Sequence, residues 1–293
     1  MIVGYFYAFL VSLLFSLYIV PRKFSKMIPS LYVMFVGLGF FVPSVVYLVS
    51  TLDFSSLLNP ILLLSILVGV VWMVASVLFT IAIDKLGMSR SNQWKNLQGP
   101  IGVGLSLMLL SEYQTTNVLF VVLAIIAIFV SAVCFSIRKD TEKVIDKTGI
   151  WFAIAAGVLY GANSVIQKYV TINVPEIAPQ QFYFSMGVFV SALVYFLIKN
   201  KSAKQSALIS FKSAYLPILA GVLYFIASQF SIMANKIIPN SIAFTIIQFN
   251  AFWTVLIGIL VFKEIDMGRH WKRVSVGMVF ALLSILVIFF GMK

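Results

Sequence analysis

The sequence predicts an all-α polytopic membrane protein with ten transmembrane helices, arranged as two inverted repeats of five helices. Of its 293 residues, 61% are hydrophobic and only 10% are charged, which leaves too little charge for the surface of a soluble domain. The apolar residues lie in runs of about 20 or more, the length that crosses the hydrocarbon core of a bilayer. The third observation is a similarity between the two halves of the chain.

Nine apolar runs have the length and composition of a membrane helix. They are 2–20, 29–51, 58–83, 115–137, 150–170, 179–198, 214–236, 240–262 and 271–291. The first run lacks the basic start of a cleavable signal peptide, so we interpret it as the first span. The tenth candidate, 90–111, is too polar to qualify by hydropathy, because it opens within the segment SRSNQWKNLQGPI (89–101).

The distribution of Lys and Arg favours ten spans over nine. If 90–111 crosses the membrane, all of the 21 basic residues except Lys168, Lys236 and Lys293 lie in or beside the odd-numbered loops. With nine spans the later loops would change sides and this bias would disappear. Because cytoplasmic loops carry the excess of Lys and Arg, we expect cytoplasmic odd loops and non-cytoplasmic termini in the cell membrane.

The two halves of the chain align in one long register. Residues 72–98 pair with 224–250 without a gap, at an offset of 152, and the same register pairs Glu112 with Glu264. The matches include polar and turn residues, which coincide by chance less readily than aliphatic residues do. This register indicates an internal repeat.

A repeat of five spans fixes the predicted domain organisation. A second alignment sets 13–24 against 158–169 and pairs Lys23 with Lys168. An odd number of spans makes the second copy enter the membrane from the opposite side, as in secondary transporters, whose site lies near the midplane between the repeats. We therefore expect a first repeat at 1–137, a charged cytoplasmic linker at 138–149 and a second repeat at 150–293.

The repeat predicts that the polar segment 89–101 is a helix or a broken helix, because its partner lies within the apolar run 240–262. Polar groups are costly against lipid and tolerated against a cavity inside the protein. Gly99 and Pro100 lie in the middle of this span and predict a kink or a break. A polar half, a breaker and an apolar half are typical of a discontinuous helix at a binding site.

Polar and aromatic side chains on the predicted spans could form a site for a solute. Amides provide paired hydrogen-bond donors and acceptors. The alternatives are that the amides cap the span or bond neighbouring helices, and that some aromatic residues anchor the helices at the membrane surface. The candidate solute-binding residues are Trp72, Ser76, Asn92, Trp94, Asn96, Gln98, Tyr160, Asn163, Gln167, Tyr224, Ser228, Gln248 and Asn250.

Three charged residues lie near this candidate site. Lys95 could bind an anionic group, or titrate if it is desolvated. However, the cytoplasmic surface lies only about two helical turns away, so we expect the Lys95 ammonium to reach it. Glu112 and Glu264 end the fourth and ninth spans at equivalent positions. We expect them to pair with basic groups at the helix ends, and a role in gating is the alternative.

Several classes of function are excluded. No acidic residue lies in the middle of a predicted span, which argues against a carrier of organic cations. The sequence has no Walker A motif for ATP, and its single His and single Cys exclude the common zinc sites. With no catalytic cluster either, we expect no enzyme activity, metal or cofactor. The net charge of +12 belongs to loops beside membrane spans and does not indicate nucleic acid.

Ten spans in two repeats, with a glutamate closing the fourth and ninth, resemble the drug/metabolite transporter superfamily. Within it, three segments resemble the glucose/ribose uptake permease branch. They are LLFSLYIVPRKF (13–24), VLYGANSVIQKY (158–169) and LGMSRSNQWKNLQGPIGVGLSLMLLSEY (86–113). The resemblance implies proton-coupled sugar uptake by helices that alternate between inward-open and outward-open states. The amides and the flat aromatic faces of the candidate site fit a sugar.

The sequence therefore predicts a secondary transporter of a small neutral polar solute, which the resemblance identifies as a sugar. One alternative is an exporter of amino acids or other metabolites, which a position of Lys95 in a water-filled cavity would favour. Another is a non-transporting receptor or assembly component, against which the lack of a soluble domain argues. The expected partners are the solute and the lipid bilayer. Ten spans can form a complete transport unit, so the sequence is compatible with either a monomer or a homodimer.

Overall fold

The fold is known from a computed structural model that describes residues 1–51, 54, 56–135, 146–199, 211–264 and 267–290. These residues form helices and connecting turns, without a β-strand. The α-helices of the described chain are α1 (Ile2–Leu17), α2 (Val20–Phe24), α3 (Pro29–Thr51), α4 (Leu62–Leu86), α5 (Met88–Lys95), α6 (Gln98–Leu109), α7 (Val118–Phe135), α8 (Lys147–Asn173), α9 (Ile177–Lys199), α10 (Phe211–Ile237), α11 (Asn240–Ile247), α12 (Asn250–Leu260) and α13 (Met267–Phe290). Residues 138–145 of the predicted linker lie outside the described residues.

Nine helical segments of the described chain are long and apolar enough to cross a membrane. They are Ile2–Phe24, Pro29–Thr51, Leu62–Leu86, Val118–Phe135, Lys147–Asn173, Ile177–Lys199, Ala214–Ile237, Asn240–Leu260 and Met267–Val287. The all-helical fold is thus confirmed for these residues, and the nine segments overlap the nine predicted runs. The predicted tenth span, 90–111, is not among them: the short helices α5 and α6 occupy it, and α5 is rich in polar residues.

The main contacts between the two halves of the chain come in equivalent pairs. Helix α1 packs on α10 as α8 packs on α4, and α3 packs on α10 as α9 packs on α4. Helices α3 and α9 also contact each other, and α7 pairs with α13 at the edge of the bundle. Exchanging α1, α3, α4, α5–α6 and α7 with α8, α9, α10, α11–α12 and α13 leaves this contact pattern unchanged.

Facing glycines allow two of these helix crossings to be close. Helices α4 and α9 meet at Gly69 and Gly187, and α3 and α10 meet at Gly39 and Gly221. A Cβ atom on any of these glycines would overlap a backbone carbonyl oxygen of the facing helix. Small residues at such crossings let the backbones approach, which is how helices gain packing energy in lipid. These crossings fix how each helix is rotated and hence which side chains face inward.

The segment predicted as a broken helix is helical in two pieces. Helices α5 and α6 are separated at Asn96 and Leu97, so the predicted break at Gly99–Pro100 is wrong by about one turn. Pro100 lies inside α6 and has no N–H group for the carbonyl of Asn96, four residues earlier. That carbonyl accepts instead from the N–H of Gly99 at 3.0 Å.

A second broken helix lies beside the first. Helices α11 and α12 are separated at Gln248 and Phe249, the positions that pair with Asn96 and Leu97 in the predicted register of 152 residues. Helix α6 contacts α11 and α5 contacts α12, so the two broken helices run antiparallel. No proline accompanies the second break, and the N–H of Ala251 reaches the carbonyl of Gln248 at 3.0 Å.

Candidate functional site

A buried cavity of about 50 Å³ lies between the two halves of the chain. Side chains of α1, α4, α5, α6, α8, α10 and α11 line it. The lining residues are Phe15, Tyr18, Trp72, Lys95, Gln98, Tyr160, Asn163, Ser164, Gln167, Tyr224, Ser231, Asn235, Asn240, Phe244 and Ile247. This volume holds a few water-sized molecules, so a larger solute requires the surrounding helices to separate.

The structure divides the predicted solute-binding residues into two groups. Trp72, Gln98, Tyr160, Asn163, Gln167 and Tyr224 line the cavity, together with Lys95. Ser76, Asn92, Trp94, Asn96, Ser228, Gln248 and Asn250 do not line it. Helices α8 and α10 provide most of the predicted residues that face the cavity.

Aromatic rings form one wall of the cavity. The Tyr224 ring centroid lies 4.4 Å from that of Trp72, 5.3 Å from that of Tyr18 and 5.5 Å from the stacked ring of Phe15. The rings of Trp72 and Tyr160 are 6.4 Å apart. These are ordinary distances for aromatic pairs, and the mutual contacts hold each ring in one orientation. The wall therefore presents fixed flat faces to whatever enters the cavity.

Two amides in the lining have an oxygen without a hydrogen-bond partner. Asn163 on α8 and Asn235 on α10 are 5% and 4% exposed, and each side-chain oxygen lacks a donor within the structure. An unpaired buried polar atom costs about 1–3 kcal/mol. These two acceptors are therefore available to a hydroxyl or amine of a bound solute.

Lys95 ends α5 and faces the cavity. Its side chain is 3% exposed, so the expectation that the ammonium reaches the cytoplasmic surface is wrong. The Nζ atom lies 5.0 Å from the ring centroid of Phe79 and 5.9 Å from that of Tyr160. Among the described residues, no carboxylate forms an ion pair with it.

Most predicted amides outside the cavity join helices to one another. The side-chain nitrogen of Asn92 donates to the side-chain oxygen of Asn250 at 3.1 Å, which links α5 to α12. Gln98 donates in the same way to Gln248 at 3.2 Å, so it both lines the cavity and links two helices. This is the alternative role anticipated for membrane amides. Asn96 is buried, and neither of its side-chain polar atoms has a partner within the structure.

Three further predicted residues have other surroundings. The Ser76 hydroxyl shares a hydrogen bond of 2.8 Å with the hydroxyl of Tyr160, so it orients a residue that lines the cavity. Ser228 bonds Gln181 of α9 and so ties two helices together. Trp94 is half-buried.

The two predicted glutamates each cap the broken helix of the opposite half. Glu264 accepts from the backbone N–H groups of Met88 and Ser89 at 3.1 and 2.9 Å, at the start of α5. Glu112 accepts from the N–H groups of Asn240 and Ser241, both at 2.7 Å, at the start of α11. A carboxylate is favoured there because the first N–H groups of a helix are unpaired and carry partial positive charge.

The two capped ends differ in their charged partners. Glu264 also pairs with Lys23 at 2.8 Å, as expected for a basic group near a helix end. Burial raises the pKa of Glu264, but the Lys23 ammonium and the Ser89 N–H group outweigh it and bring the pKa below its usual value. Lys168, the repeat partner of Lys23, donates to the carbonyls of Asn235 and Ile238. We name the two ends of the bundle the Glu264 end and the Glu112 end.

An ion pair between Arg22 and Asp84 lies towards the Glu264 end. The Arg22 Nε atom donates to Asp84 at 2.9 Å, and its guanidinium lies 5.0 Å from the ring centroid of Tyr32. A second cavity, of about 20 Å³, lies between this pair and the aromatic wall and shares Tyr18 and Trp72 with the first. Towards the Glu112 end, the main cavity continues to Asn235 and Asn240.

Sequence reasoning did not select several lining residues as site residues. They are Phe15, Tyr18, Ser164, Ser231, Asn235 and Asn240. A signal existed for two of them, because the alignment of 13–24 with 158–169 pairs Phe15 with Tyr160 and Tyr18 with Asn163. Asn235 lies near the end of an apolar span, where its sequence neighbours do not distinguish it.

Nine helical segments of the described chain that are long and apolar enough to cross a membrane define an integral multi-pass membrane protein. The chain belongs to the sugar transport protein family, whose family model matches residues 9–290. This is a family of transporters, which confirms the predicted resemblance to a sugar uptake family and the prediction that the chain is not an enzyme.

One solved crystal structure resembles this fold with a TM-score of 0.72. The alignment covers 98% of this chain and 94% of that chain, at 13% sequence identity. Identity at this level shows the shared fold alone. Among curated proteins, none matches the sequence.

Proposed function

We propose that this protein is a secondary transporter that moves a small neutral polar solute, a sugar, across the cell membrane by alternating access. The observation that carries the proposal is the cavity between the halves, where the unpaired oxygens of Asn163 and Asn235 face fixed aromatic rings. Sugar hydroxyls can donate to these oxygens, and sugar rings can lie against the aromatic faces. Membership of a sugar transport family supports the same solute class.

Alternating access requires two similar halves that move relative to each other. The matching helix contacts, the two breaks 152 residues apart and the reciprocal glutamate caps support an inverted repeat of 1–137 and 150–293. In this proposal, α5–α6 and α11–α12 are the fourth and ninth of ten spans, and the termini are non-cytoplasmic. The Arg22–Asp84 and Lys23–Glu264 pairs then close the cytoplasmic end.

An exporter of amino acids is the second candidate, because the Lys95 ammonium lies in the cavity and could bind a carboxylate. The lining argues against this candidate. An amino acid also carries an ammonium group, and no Asp or Glu lines the cavity among the described residues. The ammonium would then be desolvated without a counter-ion, which is costly.

Counterflow in proteoliposomes tests the proposal. Proteoliposomes that contain the purified chain are loaded with unlabelled solute. Uptake of labelled sugars, amino acids and organic cations is then followed with and without a pH gradient. We expect exchange of a sugar, and a dependence on the gradient if protons are coupled. Exchange of amino acids or cations alone would contradict the sugar assignment.

A pair of variants tests the cavity itself. We expect Asn163→Leu to reduce sugar exchange by about tenfold or more, since a lost hydrogen bond to a buried polar group costs about 1–3 kcal/mol. Asn173→Leu is the matched control, because that amide is exposed at the end of α8 and donates to the carbonyl of Tyr169. Sugar exchange at the wild-type rate by a folded Asn163→Leu protein would show that Asn163 does not bind the solute.

A further inference from the structure

Lys95 is the only charged side chain in the lining of the cavity, among the residues that the structure describes. The two rings beside it, Phe79 and Tyr160, stabilise a cation through their negative faces. The Nζ atom lies 5.0 and 5.9 Å from the two ring centroids, at which distance the attraction is favourable. This attraction is smaller than the cost of burying an unpaired charge.

Backbone packing fixes Lys95 at this position. Its carbonyl group lies directly against Gly157 of α8, where an added Cβ atom would overlap the carbonyl oxygen. The break between α5 and α6 follows at the next residue, Asn96. The ammonium is therefore held over the cavity by the contact of α5 with α8.

The nearby carboxylates of the chain are engaged elsewhere. Asp84 pairs with Arg22, Glu264 pairs with Lys23 and caps α5, and Glu112 caps α11. None of them lines the cavity. When Lys95 is protonated, its counter-ion therefore comes from a molecule that enters the cavity.

The number of available cations limits the charge of that molecule. Arg22 is committed to Asp84, and Lys168 donates to two backbone carbonyls at the Glu112 end. Among the residues that the structure describes, the Lys95 ammonium is the one cation left to face a solute in this cavity. A single cation matches a carboxylate, whereas a phosphate group carries nearly two negative charges at neutral pH.

We infer that Lys95 binds one negative charge on the transported solute, so that the substrates include sugars bearing a carboxylate, such as uronic and aldonic acids. This inference rests on the proposed function and extends its solute class from neutral sugars to monoanionic ones. The hydroxyls of such a sugar reach Asn163 and Asn235, while its carboxylate lies at Lys95 near the aromatic wall. Binding then neutralises the buried charge, which favours the acid over the corresponding neutral sugar.

The test is counterflow in proteoliposomes with labelled D-glucose, D-glucuronate and glucose 6-phosphate. We expect the wild-type chain to exchange glucuronate faster than glucose, and both faster than the phosphate. We expect Lys95→Met to lose glucuronate exchange by about tenfold to a hundredfold, since a charge-assisted hydrogen bond is lost. The ratio of glucuronate to glucose exchange should fall by about tenfold or more, and thermal unfolding without solute shows that the variant is folded. Lys199→Met, at the exposed end of α9, is the control for removal of a positive charge.

Thermal unfolding provides a readout independent of transport. Glucuronate should raise the unfolding temperature of the wild-type protein and leave that of Lys95→Met unchanged, because a ligand stabilises only the state that binds it.

Several results would overturn the inference. Exchange of glucose without glucuronate would leave the proposed function intact and remove the anionic solute class. An equal loss of glucose and glucuronate exchange in a folded Lys95→Met protein would mean that the Lys95 charge serves a step common to all solutes and does not select anionic ones. A preference for glucose 6-phosphate would refute the single-charge argument. Exchange of no sugar at all would defeat the proposed function as well.

Discussion

Removal of the Glu112 carboxylate should destabilise the junction between the two halves of the protein. Glu112 is 7% exposed, and its two oxygens accept from the N–H groups of Asn240 and Ser241 at 2.7 Å. A hydrogen bond to a charged group contributes about 1.5–3 kcal/mol. Glu112→Ala would break two of them and leave two buried N–H groups without acceptors. We therefore expect a loss of about 3–5 kcal/mol, and roughly half of that for Glu112→Gln, which keeps one oxygen.

The assay is thermal unfolding of the purified protein in detergent, followed by intrinsic fluorescence. In a chain of this size, a loss of about 1 kcal/mol in the free energy of unfolding lowers the unfolding temperature by about 2–4 °C. Glu112→Ala should therefore unfold at a temperature several degrees lower than the wild-type protein. Gln114→Ala is the matched control, because the Gln114 side chain lies two residues away and is exposed. This substitution should leave the unfolding temperature unchanged. An unfolding temperature of Glu112→Ala within about a degree of the wild-type value would refute the argument that this carboxylate fixes α11.

Two further predictions concern the Glu264 end and the packing of α5. The pKa of Glu264 is lowered in the folded protein, so its stabilising contribution is complete above the ordinary glutamate pKa of 4.5 and disappears as the pH falls through the lower folded value. The unfolding temperature of the wild-type protein should therefore fall more steeply below about pH 4.5 than that of Lys23→Met; identical pH profiles would contradict the Lys23–Glu264 pairing. Gly157→Val should push α5 away from α8, because even a Cβ atom would overlap the Lys95 carbonyl. We expect it to lower the free energy of unfolding by about 1–3 kcal/mol and to abolish solute exchange. Gly104→Ala, which meets nothing within 4 Å, should retain both stability and exchange, and equal losses in the two variants would refute the packing argument.

Local composition and residue spacing were enough to predict several features of the fold. Apolar runs of about 20 residues predicted the nine segments long enough to cross a membrane, and the internal register of 152 residues predicted that the polar stretch 89–101 is helical. The same register placed Glu112 and Glu264 at equivalent positions, whereas the break at Gln248 and the caps that each glutamate forms on the opposite half were not predicted. The predicted features follow from the order of residues along one helix or from the comparison of two.

Which polar side chains face the cavity depends on how the helices pack against one another. Asn92 and Asn163 are both buried amides on helices with no simple amphipathic pattern, yet one bonds a neighbouring helix and the other lines the cavity. Lys95 is buried although it lies within about two helical turns of the predicted start of its span. Arg22 donates a hydrogen bond to Asp84 of another helix. A membrane helix can meet lipid, another helix or a cavity on any of its faces, and hydropathy does not separate the last two. The rotation of each helix, set by crossings such as Gly69 with Gly187, makes that choice.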